Sequence, residues 1–171
     1  GNGGPADSAT PVTVQGLTRV LGIAAGGDHT CALNEYSTVW CWGANAYGQL
    51  GDGKNVDAHV PVYIDSTNDY VHIASGEDHT CAAKNTGQLR CWGRGANGRL
   101  GNGGNADSNV PVVVGGVSSM VFDQLSVGDA HGCARRNNGR VYCWGANAEG
   151  QLGNGTLADR AAAAVVPGIL N

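Results

Sequence analysis

Three short segments of the chain set a carboxylate beside an imidazole: Asp28-His29, Asp78-His79 and Asp129-Ala130-His131. Histidine titrates near neutral pH, and a neighbouring carboxylate can orient it as a general base or as a metal ligand. Recurrence argues the other way, because a position repeated in every copy of a unit serves that unit's own hydrogen bonds. His29, His79 and His131 are therefore expected to be structural. No Ser, Cys or Lys stands in a setting that would make it a nucleophile. No catalytic residue is assigned, and the chain is not expected to be an enzyme.

The six cysteines fall into three pairs of identical C-x9-C spacing, Cys31/Cys41, Cys81/Cys91 and Cys133/Cys143. The midpoint of each pair falls in a hairpin turn, so the two residues face each other across adjacent antiparallel strands. Opposed Cβ atoms there lie roughly 4.5–5.5 Å apart, close to what a disulfide needs. Disulfides are the expected state, with buried free thiols and a metal site as the competing readings. Zinc favours C-x2-4-C spacing with a second pair close by, and here the second pair lies in another copy, so no metal is expected. Disulfides imply an oxidising compartment: extracellular, cell-surface or periplasmic.

A Gly-rich, acidic loop also repeats. It reads Gly51-Asp52-Gly53 with Asp57, then Gly101-Asn102-Gly103 with Asp107, and Asp7 and Asp159 take the same place elsewhere. Calcium loops need several acids and a closing Glu, whereas these carry mostly Asn and Gly. Asp side chains bonding the turn are the expected arrangement, and no cofactor is expected. Asn154-Gly155-Thr156 fits a glycosylation sequon, a weak three-residue match.

Trp42, Trp92 and Trp144 occupy one repeated position and read as core packing. The residues that break the repeat are more informative about binding: Tyr47, Arg94, Arg99, Glu149, and Trp40 where the sister copies have Arg90 and Tyr142. Tyr, Trp and Arg are enriched in interface hot spots, so these five are the candidate contact residues.

The elements that position these residues follow from the repeat. Cys-Trp-Gly recurs at Cys41-Trp42-Gly43, Cys91-Trp92-Gly93 and Cys143-Trp144-Gly145, spaced by 50 and 52 residues. A Leu follows each Trp at Leu50, Leu100 and Leu152, and Pro-Val recurs at Pro11-Val12, Pro61-Val62 and Pro111-Val112. The third copy carries two extra residues around Ser118-Ser119-Met120. Each period predicts four short strands. The first is a Pro-Val strand at 61–64 with Pro at its start, followed by an apolar stretch such as Val20 to Ala25 or Val71 to Ser75. A hairpin completes it, His79 to Ala83 and Gln88 to Gly93 around Asn85-Thr86-Gly87. Four strands per period of about 50 residues, with a recurring aromatic, predict blades of a β-propeller. The fold class is all-β, about three four-stranded antiparallel blades of a partial, open or larger propeller. The expected division is 1–14 as the outer strand of an incomplete preceding copy, then blades at 15–64, 65–114 and 115–171. The last blade ends in a degenerate outer strand at 161–166.

Composition agrees. Twenty-nine glycines suit frequent turns, and each would cost about 1 kcal/mol inside a helix. Charged residues make up 14% with a net charge of −4 and no basic run, so nucleic acid and anionic membranes are not expected partners. No stretch approaches the roughly 18 apolar residues of a membrane span. No signal peptide heads the chain, and Gly1-Asn2-Gly3-Gly4 reads as the middle of a repeat, as in a mature product or a segment of something longer.

The string His29-Thr30-Cys31-Ala32-Leu33, then Val39-Trp40-Cys41-Trp42-Gly43-Ala44-Asn45-Ala46-Tyr47-Gly48-Gln49-Leu50-Gly51-Asp52-Gly53, then Pro61-Val62, resembles the repeat of the regulator of chromosome condensation family. The resemblance covers essentially the whole chain. It implies a propeller, seven-bladed in most members, of which about three blades are present here. The cysteine pairs look like those of extracellular bacterial members. The family includes nucleotide-exchange factors, ultraviolet sensors and secreted inhibitors of β-lactamases. The Trp cluster of the sensors is replaced here by Gly27-Asp28, Glu77-Asp78 and Asp129-Ala130.

The expected function is a non-catalytic extracellular or surface scaffold that binds a protein or glycan through blade loops. The alternative is a structural subunit that assembles into a ring or filament through blade-to-blade or strand-exchange contacts between chains, its partner being copies of itself.

Overall fold

The computed structural model describes residues 1–4, 6, 8–118 and 120–169, so Asp7 and Ser119 lie outside the described residues. Twelve strands among these form three four-stranded antiparallel sheets, each a propeller blade. The first blade pairs β1 (Val20–Ala25), β2 (His29–Asn34), β3 (Val39–Gly43) and β4 (Ala58–Tyr63) in sequence order. The second pairs β5 (Tyr70–Ser75), β6 (His79–Lys84), β7 (Leu89–Gly93) and β8 (Ser108–Val113), and the third β9 (Phe122–Val127), β10 (His131–Arg136), β11 (Val141–Gly145) and β12 (Arg160–Val165).

The central hairpin of each blade sets its register. Gly87 and Gly139 take positive φ in the second and third turns, while Ser37 does so in the first. There Asn34 Oδ1 supports the strain by accepting the N–H groups of Tyr36 and Thr38 at 3.0 and 3.2 Å. Cys31 then opposes Cys41, Cys81 opposes Cys91 and Cys133 opposes Cys143. All three pairs are disulfide-bonded, with Cα atoms 4.0–4.2 Å apart. Free thiols and a shared cysteine metal site are thereby excluded for these residues.

Two strand expectations are corrected. The Pro-Val strand starts three residues earlier than its Pro, at Ala58 and Ser108, and it closes its blade as the last of the four strands. Pro61 and Pro111 are tolerated inside it because β4 and β8 are edge strands, where one side of the ladder has no partner. Residues 11–14 form no strand. β4 and β8 exist by pairing with β3 and β7, and among the described residues no such strand precedes residues 11–14. The two extra residues of the third copy fall in the β8–β9 connection at 114–121, which has eight residues where the β4–β5 connection at 64–69 has six.

Blades pack face to face over two apolar layers. Leu33, Val39, Leu50 and Ile64 of the first blade meet Tyr70, Ala82 and Trp92 of the second. Leu89, Leu100 and Val114 of the second meet Phe122, Tyr142 and Trp144 of the third. The indoles bond across these seams: Trp92 Nε1 donates to the Gln49 carbonyl at 2.9 Å and Trp144 Nε1 to the Arg99 carbonyl at 3.0 Å. Gly51 and Gly101, both at positive φ, let the backbone come this close, since a Cβ there would stand 2.7–2.8 Å from the ring.

Candidate functional site

Antiparallel strands alternate direction, so the β1–β2 and β3–β4 connections of every blade emerge at one edge of the arc. That edge gathers loops 26–28, 44–57, 76–78, 94–107, 128–130 and 146–159. The long loops owe their shape to two buried asparagines. Asn45 donates its Nδ2 to Asp52 Oδ1 and the carbonyls of Lys54 and Val56, and accepts Leu50 N–H on Oδ1 at 3.0 Å. Asn147 repeats this with Asn154 Oδ1, the carbonyls of Thr156 and Ala158, and Leu152 N–H. Both are 0% exposed, so each replaces water for a whole loop. Sequence reasoning missed them, although the Gly-Ala-Asn-Ala string flanking each was visible. In the second blade Gly95 stands at this position and the loop folds in on it: a Cβ there would lie 2.0 Å from the Ala106 carbonyl oxygen.

The aspartates of the long loops bond N–H groups. Asp57, Asp107 and Asp159 accept the backbone N–H of Asn45, Gly95 and Asn147, each at 2.8 Å. Asp52 accepts Lys54 N–H. Asn154 of the sequon uses its Oδ1 to hold Asn147 Nδ2, Thr156 N–H and Thr156 Oγ1–H.

Of the five candidate contact residues, the fold brings two together. Arg94 lies over the Tyr47 ring, 4.9 Å from its centroid, so a first-blade loop and a second-blade loop meet at the shared edge. Asp78 anchors the guanidinium at 3.1 Å, and the Arg94 side chain remains 37% exposed. Glu149 is exposed on the corresponding loop of the third blade, in the place that Tyr47 takes in the first. Arg99 is 4% exposed, with its Nε donating to the Ala96 carbonyl, because its own backbone carbonyl must reach Trp144. Trp40 lies within β3 and packs on Tyr63 at 5.2 Å, its Nε1 donating to Thr38 Oγ1 beside the hairpin turn. It therefore belongs to the opposite edge.

His29 and His79 are buried at the two seams, whereas His131 of the third blade is half-buried. His29 Nε2 lies 2.8 Å from Thr80 Oγ1, whose one proton goes to the Gln49 carbonyl. His29 must then donate, which leaves Nδ1 unprotonated and, being buried, without a partner among the described residues. Burial outweighs the nearby Asp78 and Asp28 and lowers the His29 pKa to about 4. In the next seam Gly132 stands where Thr80 does, and neither nitrogen of His79 has a described partner. Burial, then the charges of Arg99, His29 and His131, lower its pKa to about 3. Both rings are neutral at physiological pH. Trp92 and Trp144 are 0% exposed, while Trp42, with no blade before it among the described residues, is half-buried.

Comparison with known proteins gives a consistent picture. The family model described as regulator of chromosome condensation (RCC1) repeat matches residues 1–33, 37–83, 86–135 and 138–167. A second model of the same description matches residues 20–49, 70–99 and 122–151. Among solved structures, human WBSCR16 superposes with a TM-score of 0.77 at 24% identity, over 86% of this chain and 38% of its own. Prp20p of Saccharomyces cerevisiae, described with its binding properties to Gsp1p and histones, superposes at 0.77 with 26% identity, over 88% of this chain and 39% of its own. The same yeast protein bound to Kap60 superposes at 0.75. The chain thus spans under two-fifths of the length of these solved relatives.

Proposed function

The chain belongs to the regulator of chromosome condensation repeat family, and from that premise we propose that it is a non-catalytic scaffold that binds a protein through the loop edge carrying Tyr47 and Arg94. The observation that carries this reading is their contact across the first seam. Two residues that depart from the repeat meet at an exposed edge, and a half-exposed Arg anchored by Asp78 is pre-organised for a partner. That a family relative binds the proteins Gsp1p and histones supports a protein rather than a glycan as ligand.

The setting we propose is extracellular, cell-surface or periplasmic, supported by the three disulfides. No described helix is long and apolar enough to cross a membrane. The test is capture of partners from the surface and secreted fractions of the source cells, with Tyr47→Ala/Arg94→Ala as the control. A partner retained by the parent chain and lost from the double variant bears the reading out. A partner held equally by both overturns this edge as the site.

A further inference from the structure

Inside the first seam, between the β1–β2 pair and β5, lies a cavity of about 330 Å³ that reaches the first hairpin turn. Its lining includes Gly22, Leu33, Asn34, Ser37, Tyr70 and Ile73, all from the two blades that this seam joins. Gly22 opposes Leu33 in the β1–β2 ladder, and Leu33 packs into the apolar layer shared with the second blade. Opposed residues of an antiparallel pair share one face, so Gly22 faces the second blade as well. The register places His72 and Gln124 at the same position of the later blades.

Neither backbone nor packing requires glycine at 22. Its φ lies outside the left-handed region, and a Cβ there would meet no atom within 4 Å. The β1 bulge does not call for it either, because β5 carries the same register shift with His72. Glycine inside a strand lowers stability, and it marks places where another molecule approaches the backbone. Ser37 departs from the repeat in the opposite sense. It holds φ at 58° where Gly87 and Gly139 take the sister turns, a conformation that strains any residue with a Cβ. In the second seam a Cβ at Gly87 would stand 2.2 Å from the Met120 carbonyl oxygen, whereas the first turn has room for a serine side chain. One departure clears a side chain from the cavity and the other brings a hydroxyl to it, each at a cost in stability.

The walls fix the chemistry of the occupant. Leu33, Val71 and Ile73 are aliphatic, and among the described residues no Asp, Glu, Lys or Arg lines the cavity. A charged ligand would lose its hydration there without a counter-ion. Asn34 spends its Oδ1 on the turn, accepting Tyr36 N–H, Thr38 N–H and Thr38 Oγ1–H, which leaves Nδ2 as its donor. The Tyr70 hydroxyl is already engaged, donating to Asp65 Oδ2 at 2.7 Å. His72 opposes Ala83, which packs toward the third blade, so it lends the cavity backbone rather than its imidazole. We propose that this cavity binds an uncharged, mainly apolar small molecule whose carbonyl or hydroxyl oxygen is held by Asn34 Nδ2 and Ser37 Oγ. Its volume lies at the lower end of small-molecule sites, about 300–1,000 Å³. The cavity belongs to the hairpin edge, opposite the loops of Tyr47 and Arg94, and does not rest on the protein-binding reading.

The experiment is titration of the oxidised full chain with acetophenone at neutral pH, followed by NMR, with benzoate and methyl α-glucoside in parallel. Acetophenone is expected to shift the backbone amides of Gly22, Leu33 and Ser37 and the Asn34 side-chain amide, saturably. Benzoate and the glucoside are expected to leave them unmoved. Gly22→Val fills the cavity, so binding weakens roughly tenfold or more while the melting temperature rises, because a β-former replaces glycine in the strand. Ser37→Gly weakens binding about fivefold, the share of one hydrogen bond, and also raises the melting temperature. A parent chain with no saturable shift at this seam overturns the proposal. So does either variant binding like the parent, benzoate binding as well as acetophenone, or a Gly22→Val chain less stable than the parent, which would make the glycine structural. Partner capture at the Tyr47–Arg94 edge is scored separately, and neither reading falls with the other.

Discussion

The Trp92 indole donates across a blade boundary to the backbone carbonyl of Gln49, 43 residues earlier, at 2.9 Å. This bond joins two of the repeat's landmarks, the Trp after each second Cys and the residue before each Leu. Neither does its work within its own blade. The unit that repeats in sequence is therefore a bond between sheets.

Position along the arc should accordingly decide what a tryptophan is worth. Trp92→Ala removes a fully buried indole and is expected to cost about 3–5 kcal/mol. Trp42→Ala, on the uncovered face, should cost no more than about half of that. Chemical denaturation of both variants checks it, and equal losses would refute a seam role for Trp92.

The loop asparagines should behave as structural parts despite lying in loops. Asn147→Ala strips the donors from the carbonyls of Thr156 and Ala158 and the acceptor from Leu152 N–H. The expected loss is about 2–4 kcal/mol, with faster amide exchange confined to the 146–159 loop. Gly95→Asn does not transfer the lock, since the collapsed loop leaves no room beside Ala106.

Stability should fall on acidification through a window set by the histidines. His29 titrates at about 4 in the fold and near its ordinary 6.5 when unfolded, so between these values the unfolded chain binds the additional proton. Its contribution is complete above pH 6.5 and is lost as pH falls toward about 4. His79, lowered to about 3, extends the loss further. His79→Leu also removes two buried nitrogens without partners. It is expected to leave stability at pH 7 unchanged or higher and to move the acid transition downward. Thermal melts from pH 3 to 8 read this out, and a variant less stable at pH 7 would reveal a partner for His79.

The three disulfides should differ in accessibility. Cys31, Cys41, Cys81 and Cys91 are each 0% exposed beneath a neighbouring blade, whereas Cys143 is 5% exposed and Cys133 half-buried. In dilute protein, limited reduction with differential alkylation and mass spectrometry should find Cys133–Cys143 opened first. Simultaneous opening of all three would mean that global unfolding, not face coverage, controls access.

What was legible in the sequence was what short separations decide. The cysteine pairs lie ten residues apart about a turn, so alternation along two strands sets them opposite one another without help from the rest of the chain. The same holds for the four-stranded blade, read from hairpins and a period of about 50 residues. The start of the Pro-Val strand was set three residues late because a Pro was taken as a strand start, although an edge strand admits one inside.

Local pattern could not decide burial, because a blade's face is covered only by the blade beside it. Arg99 and Arg94 are alike as residue types. The Trp144 bond draws the Arg99 backbone into a seam and the side chain with it, while Arg94 remains at the edge over Tyr47. Trp42 and Trp92 share one motif, yet among the described residues Trp92 is the one whose indole donates to a carbonyl of the preceding blade. The sequence by itself determined the repeating unit, since hairpins and disulfides are local. Tertiary structure alone decided which copies of a residue are core, lock or free surface, since that depends on contacts made some fifty residues away.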